Sequence, residues 1–350
     1  MKEDMANPPF ADHLEAFLSD NYKVDGDGQP QQQKEGKLPI IDIGSLVSGG
    51  EEEERRRCVD AMERASREWG FFQIKNHGLS DDLFSEMRRE KKKIFECSFE
   101  KKSSGCERFN KFYSWGAPNA TSLHQFSWYE AFHLPVSFIS EETETSDDRH
   151  RDQKQQFQSL WEVLDRYTTA VSKLAEVLAG ALIETKDGSS TMRSDKYFKK
   201  DNCFLRLNRY PPCPLSSEIH GLTSHTDSDF LTILWQDEVG GLQLMKDSKW
   251  VSVHPHPGAL IVNIGDLFQA WSNDVYRSVE HRVMTNAKLE RYSVGYFVCP
   301  SSDSVVGSCS RKEEETSLYK KFTFGEYKTQ VQKDVKNTGN KVGLSRFLLL

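Results

Sequence analysis

The chain has 350 residues, a formal net charge of −7 at pH 7, and a composition that is 37 % hydrophobic and 28 % charged. That length permits one large domain or two closely packed ones. The acidic balance argues against a nucleic-acid surface, and no apolar run is long enough to span a bilayer. Seven cysteines, at positions 58, 97, 106, 203, 213, 299 and 309, include no Cys-x-x-Cys and suit free thiols in a reducing compartment, the cytosol by default and the nucleus as the alternative. The opening Met1-Lys2-Glu3-Asp4 lacks the apolar core of a signal peptide and the acid-poor character of a transit peptide.

Residues 1–37 read as an N-terminal extension, with a short helix around Phe10, Leu14, Phe17 and Leu18 and a polar, breaker-rich, mobile stretch from Gly26 to Gly36. Leu38 opens the folded body, whose first part runs over 38–145. Val59, Met62, Ala65 and Trp69 recur at helical spacing, and Phe71-Phe72-Gln73-Ile74 reads as a strand ended by Asn76-His77-Gly78. Ser80 is placed to cap the next helix, with Asp81 and Asp82 in its first turn. The run Arg88-Arg89-Glu90-Lys91-Lys92-Lys93 on that helix reads as a solvated face. A charged loop is expected from Glu141 to Arg151. After it, in a supporting segment over 146–200, Phe157, Leu160, Trp161, Leu164, Tyr167, Val171, Leu174, Leu178 and Leu182 mark a long amphipathic helix.

Short apolar strands then alternate with turn signals at Pro211-Pro212, Gly240-Gly241 and Pro255-His256-Pro257. This pattern predicts an α+β fold, with a double-stranded β-helix (jelly-roll) core over 201–302, a helical N-terminal region and helices supporting one side. Residues 303–350 read as a C-terminal helix, beginning near Phe324, and a tail.

Within the core, His225-Thr226-Asp227 and His281 supply two imidazoles and one carboxylate, the ligand set with open positions used by non-haem Fe(II) oxygenases. The two-residue spacing of His225 and Asp227 predicts that both project from one face of a strand. His281 follows Ala259-Leu260-Ile261-Val262-Asn263-Ile264-Gly265-Asp266, which reads as a doubly buried strand closed by a turn. Arg291 and Ser293 share a strand face, and a guanidinium fork beside a hydroxyl is a carboxylate receptor. A zinc hydrolase uses similar ligands but has no need of that receptor, so Arg291 and Ser293 favour an oxygenase. Asp229 is a candidate for orienting a ligand. His77, His254 and His256 read as structural or loop residues, and His220 lies near the site in sequence.

These elements, with Asn208-Arg209-Tyr210-Pro211-Pro212-Cys213 upstream and Trp69 to Gly78 in the N-terminal part, resemble the plant 2-oxoglutarate- and Fe(II)-dependent dioxygenases over most of the chain. The resemblance implies Fe(II) at His225, Asp227 and His281. It implies that 2-oxoglutarate is held by Arg291, Ser293 and Tyr210 with Asn208 near its other end, that dioxygen is the oxidant, and that ascorbate serves as reductant. A second segment, Tyr113-Ser114-Trp115-Gly116-Ala117-Pro118-Asn119-Ala120-Thr121-Ser122 through Gln125 and Ser127 to Glu130-Ala131-Phe132-His133, is similar to gibberellin 2-oxidases that act on twenty-carbon gibberellins. That implies 2β-hydroxylation and hormone inactivation. Tyr113, Trp115, Phe132, Tyr296 and Phe297 are the expected aromatic walls for the diterpenoid, although packing of the N-terminal part against the barrel would use Tyr113, Trp115 and Phe132 equally well. Ser224 stands where Pro is expected and Trp235 where Tyr is expected, and Asn119 and Tyr129 replace small polar residues. Same-family oxygenation of a flavonoid or alkaloid, and a non-catalytic gibberellin-binding protein, are the rival readings.

Overall fold

The computed structural model describes residues 6–21, 37–105, 108–116, 120, 125–144, 151–187, 199–216, 218–309 and 316–349, with the backbone alone described at 16–21 and 151–155. The expected mobile stretch and Asn119 lie outside those residues. The strands in chain order are β1 (Ile40–Asp42), β2 (Phe71–Lys75), β3 (Tyr113–Trp115), β4 (Glu130–Pro135), β5 (Phe204–Tyr210), β6 (His220–His225) and β7 (Leu231–Gln236). They continue with β8 (Leu242–Lys246), β9 (Lys249–Ser252), β10 (Leu260–Ile264), β11 (His281–Met284), β12 (Arg291–Val298), β13 (Val305–Val306) and β14 (Phe322–Thr323).

An eight-stranded sheet, in the order β1-β2-β10-β7-β12-β5-β4-β3, faces a four-stranded sheet, β6-β11-β8-β9. Because side chains alternate across a strand, the large sheet has two chemically distinct faces. The inner face meets the small sheet: Phe71, Ile261 and Tyr210 from one pack with Leu242, Leu244 and Val283 from the other. The outer face carries Val262, Ile233, Val294 and Leu205, which join one core with the helices Glu52–Glu68, Asp81–Phe95 and Arg151–Asp187. This is the jelly roll with helices on one side that the sequence predicts. The strands of 38–145 do not form a separate sheet, since β2 pairs with β10 and β4 pairs with β5.

Local chemistry sets the supporting helices. Ser80 Oγ accepts from Leu83 N at the start of Asp81–Phe95, as its position predicts. Thr323 and Glu326 form a reciprocal capping box for Phe324–Thr338, which ends on Gly339 in a left-handed conformation.

Two expectations change. The helix Val136–Glu144 takes up the first part of the expected charged loop, because Val136, Phe138 and Ile139 find burial against the long helix. The cationic run on Asp81–Phe95 is not wholly solvated. Glu90 and Lys91 are buried, Glu90 bonded by Lys93, Arg89 and Ser159, and Lys91 lying over the rings of Trp235 and Tyr292.

Candidate metal centre and co-substrate pocket

His225 ends β6 and is the strand partner of His281, the first residue of β11. The pairing brings their rings to 4.4 Å between centroids. The chain leaves the strand after His225, so Asp227 sits in the following loop, and the expectation of a shared strand face is corrected. The loop turns the carboxylate inward. Asp227 Oδ1 lies 3.6 Å from Nε2 of each histidine, and the three donor atoms lie within 4.8 Å of one another.

Each imidazole is oriented by a backbone carbonyl. His225 Nδ1 lies 2.8 Å from Thr223 O and His281 Nδ1 lies 3.1 Å from Val279 O. A carbonyl accepts only, so Nδ1 carries the proton in both rings and both Nε2 lone pairs face Asp227. Burial and the neighbouring His281 hold His225 below the ordinary imidazole range, which keeps it neutral. Burial opposes ionisation of Asp227, but attraction to a flanking imidazole whenever it is protonated, with hydrogen bonds from Thr232 and Asn263, outweighs it and lowers its pKa. Thr232 Oγ1 at 2.6 Å and Asn263 Nδ2 at 2.8 Å both donate to Oδ2, leaving Oδ1 for a metal. Two imidazole nitrogens and one carboxylate oxygen fit a divalent first-row ion and leave the remaining positions to other ligands.

Asp229 is not itself aimed at the histidines. Thr232 Oγ1 also lies 2.9 Å from Asp229 Oδ2 and has one proton to give. Burial and Asp227 push the Asp229 carboxyl well above its usual range. A protonated Asp229 donates to Thr232, and Thr232 donates to Asp227. Thr232 and Asn263 were missed as site residues. Their signal is a polar side chain in the interior of each of two mostly apolar strands, where burial demands a partner.

Down the barrel, Arg291 pairs with Tyr210 and Ser293 with Asn208 across β12 and β5. Arg291 is 2 % exposed. Its guanidinium donates to Gln236 Oε1 at 2.8 Å and Ser293 Oγ at 3.4 Å, and lies 4.9 Å from the Tyr210 ring centroid. Asn208 Nδ2 donates to Ser293 Oγ at 3.3 Å. Nε of Arg291 is buried without a partner, and no carboxylate among the described residues pairs with the group. A buried cation left this way is costly unless an anion arrives, and a dicarboxylate reaching from the metal fits the requirement. Gly221 lets the strands close on this pocket, because a Cβ there would meet the Tyr210 ring at 2.6 Å.

Most of the expected aromatic walls face elsewhere. Tyr113 and Phe132 are strand partners, Trp115 pairs with Glu130, and these side chains lie on the helix face. Tyr113 donates to Glu130, Phe132 is fully buried against Phe95 and Phe109, and Trp115 packs on Phe10 and Phe99. Tyr296 is 1 % exposed and joins the helix-side core. Phe297, at even spacing from Arg291, is the one of the five on the inner face. Trp235 also lies on the helix face, against Phe84 and Lys91, whereas exposed Ser224 bonds Glu280. His77 is structural: Nδ1 accepts from Leu79 N, so Nε2 donates to Gly258 O at 3.0 Å.

A jelly roll that places two imidazoles, a carboxylate and a buried guanidinium receptor on its inner walls is the architecture of a non-haem iron, 2-oxo-acid-dependent oxygenase. Residues 201–300 match the 2OG-Fe(II) oxygenase superfamily, and residues 38–161 match the family described as non-haem dioxygenase in morphine synthesis N-terminal. The chain belongs to the 2OG-Fe(II) oxygenase superfamily. It is 50 % identical over 316 residues to gibberellin 2-beta-dioxygenase 8 of Arabidopsis thaliana, covering 90 % of this chain and 88 % of the relative. It is 47 % identical to gibberellin 2-beta-dioxygenase 6 of Oryza sativa subsp. japonica, covering 97 % and 96 % of the two. The crystal structure of JOX2 in complex with 2OG, Fe and JA superposes with a TM-score of 0.70 at 28 % identity, covering 91 % of this chain and 93 % of that one.

Proposed function

We propose that this chain is an Fe(II)- and 2-oxoglutarate-dependent dioxygenase that hydroxylates gibberellins at the 2β position, inactivating the hormone pathway, with twenty-carbon precursors as its preferred substrates. The observation that carries this reading is near-full-length identity of 50 % and 47 % to two gibberellin 2-beta-dioxygenases, joined to an intact ligand trio and carboxylate receptor. The twenty-carbon preference rests on the resemblance of the segment from Tyr113 to His133.

Iron and 2-oxoglutarate, when bound, supply an oxidant that inserts one oxygen atom of dioxygen into a C–H bond as 2-oxoglutarate becomes succinate and carbon dioxide. The protein's part is placement. His225, Asp227 and His281 would hold the metal, and Arg291, Ser293 and Tyr210 would hold the distal carboxylate of the co-substrate, with Asn208 beside it. Thr232 and Asn263 fix the Asp227 rotamer, and the Nδ1 contacts fix both rings, so the donor set is organised before the metal arrives. Phe71, 5.2 Å from the His281 ring, and Leu234 and Ile261 keep the metal side of the barrel apolar, which limits entry of bulk water. The free thiols of Cys58, Cys203, Cys213 and Cys299 suit the reducing cytosol or nucleus.

The test is succinate release by the purified protein with Fe(II), ascorbate and 2-oxoglutarate, with and without a twenty-carbon gibberellin, and mass spectrometry of the product. Gibberellin-stimulated succinate and a product one oxygen heavier are expected. Unstimulated succinate, with stimulation instead by a flavonoid or alkaloid, would reassign the substrate. Absence of succinate despite bound iron would favour a binding protein.

A further inference from the structure

A spacing of three on β5 puts two arginines, Arg206 and Arg209, on opposite faces of the large sheet. Arg209, on the helix face, is paired twice, to Glu130 at 2.6 Å and to Glu290 at 2.7 Å. Arg206, on the inner face, has no carboxylate of the described residues within ion-pair distance.

Strand register fixes the height of Arg206 in the barrel. It is opposite Gly295 on β12 and His133 on β4. Phe297, two residues above Gly295, is the partner of Thr232, which holds Asp227. Arg291 lies four residues below Gly295. Arg206 therefore sits between the level of the metal ligands and that of the co-substrate receptor, on the wall away from the small sheet's histidines. Glycine opposite it leaves room that the Phe297 ring occupies, since a Cβ at Gly295 would meet that ring at 2.9 Å.

The guanidinium is half-buried over the Tyr129 ring, 5.1 Å from its centroid. Its Nε donates to Asn208 Oδ1 at 2.8 Å, which leaves both terminal nitrogens as a fork. Beside it, exposed His133 stacks on Phe204 at 3.9 Å, and Phe204 stacks on Phe297 at 4.5 Å. A charged fork at one edge of an aromatic wall matches a rigid apolar molecule that bears a carboxylate.

We propose that Arg206 is the substrate-carboxylate anchor, receiving an acid group of the gibberellin while the Phe204 and Phe297 rings take its hydrocarbon cage. This deepens the gibberellin reading and rests on it. The fork determines which face of the cage is turned to the metal, so Arg206 is a specificity-determining residue rather than a metal or co-substrate ligand.

The test compares a gibberellin free acid with its fully methylated ester on the wild-type enzyme, Arg206→Met, Arg206→Lys and Asn208→Ala, reading kcat/KM from hydroxylated product. Wild type should prefer the acid by about tenfold to a hundredfold, the span of one charge-assisted hydrogen-bonded pair. Arg206→Met should erase the preference, and Arg206→Lys should keep part of it. Asn208→Ala, which removes only the Nε partner, should lower overall activity and retain the preference. The acid-to-ester ratio is internal to each protein, so losses of folded enzyme cancel.

If Arg206→Met keeps the wild-type preference, the carboxylate is anchored elsewhere. If Asn208→Ala abolishes the preference as fully as Arg206→Met, Arg206 acts only by orienting Asn208. Either result overturns the anchor while leaving the gibberellin reading in place. A wild-type enzyme turning over neither acid nor ester overturns both.

Discussion

Lys341 Nζ donates to the carbonyl oxygen of Thr226 at 2.8 Å, joining residues 115 positions apart. Thr226 lies between two of the metal ligands, so the C-terminal segment holds the strap that carries His225 and Asp227. Asp266 is the hub of this clamp: its carboxylate pairs with Lys341 at 2.6 Å and accepts from Thr226 Oγ1 at 3.1 Å and from the Tyr327 hydroxyl. Its amide also donates to Asp227 O at 2.9 Å. Lys341→Met leaves the buried Asp266 carboxylate without its cation and frees the strap. Loss of groups that orient metal ligands commonly weakens metal binding by about 10–100-fold. Anaerobic titration with Fe(II) or Co(II) should show a weakening of about tenfold, and unchanged affinity would mean that the strap is held without the clamp.

Direct loss of a ligand has a larger effect. Asp227→Ala removes the carboxylate facing both Nε2 atoms and leaves Thr232 and Asn263 without their buried acceptor. Turnover should fall to background, as it should for His225→Ala. Chelation of wild-type protein should abolish succinate release reversibly, with recovery on adding Fe(II). Near-normal turnover by either variant would refute the metal assignment.

The two receptors of the proposed site make separable demands. Arg291→Ala removes the fork expected to hold the distal carboxylate of 2-oxoglutarate, at a cost of roughly 1.5–3 kcal/mol for a charge-assisted pair. KM for 2-oxoglutarate should rise about tenfold to a hundredfold, while metal affinity without co-substrate should change little. An unchanged KM for 2-oxoglutarate would place its receptor elsewhere.

How much of this was legible in the sequence follows from strand parity and from distance along the chain. Arg291 and Ser293 share a face because they are two apart, and that spacing is local. Tyr296 is an odd step from Arg291, so its parity already assigns it to the helix face, while Phe297 has the parity of the pocket. Tyr113, Trp115 and Phe132 required knowledge that β4 pairs with β5 in a particular register, which no local pattern contains. The Lys341 contact with Thr226 has no sequence signal at all, since one lysine in a polar tail looks like any other. Asp227 illustrates the converse: its ligand role was legible from residue type, although the chain reaches the metal through a loop rather than a strand.

Lys91 provides a prediction independent of the metal. It is 3 % exposed, with its ammonium 4.2 Å from the Trp235 ring centroid and 5.0 Å from that of Tyr292. Burial pushes its pKa down to about 7, with Asp237 opposing the shift and Arg88 and Arg291 adding to it. In the unfolded chain the group titrates near 10.4. Between those values the unfolded chain binds more protons than the folded one, so Lys91 makes stability rise with pH across that window. Below it the ammonium is charged in both states, and the cost of burying it, partly offset by the two rings, is fully present. Lys91→Met removes that cost. In urea unfolding the Met variant should be the more stable at pH 7, and its advantage should shrink by up to about 1.4 kcal/mol per pH unit as pH rises toward 9.5. Parallel pH profiles for the two proteins would show that the aromatic pair keeps Lys91 charged across the range.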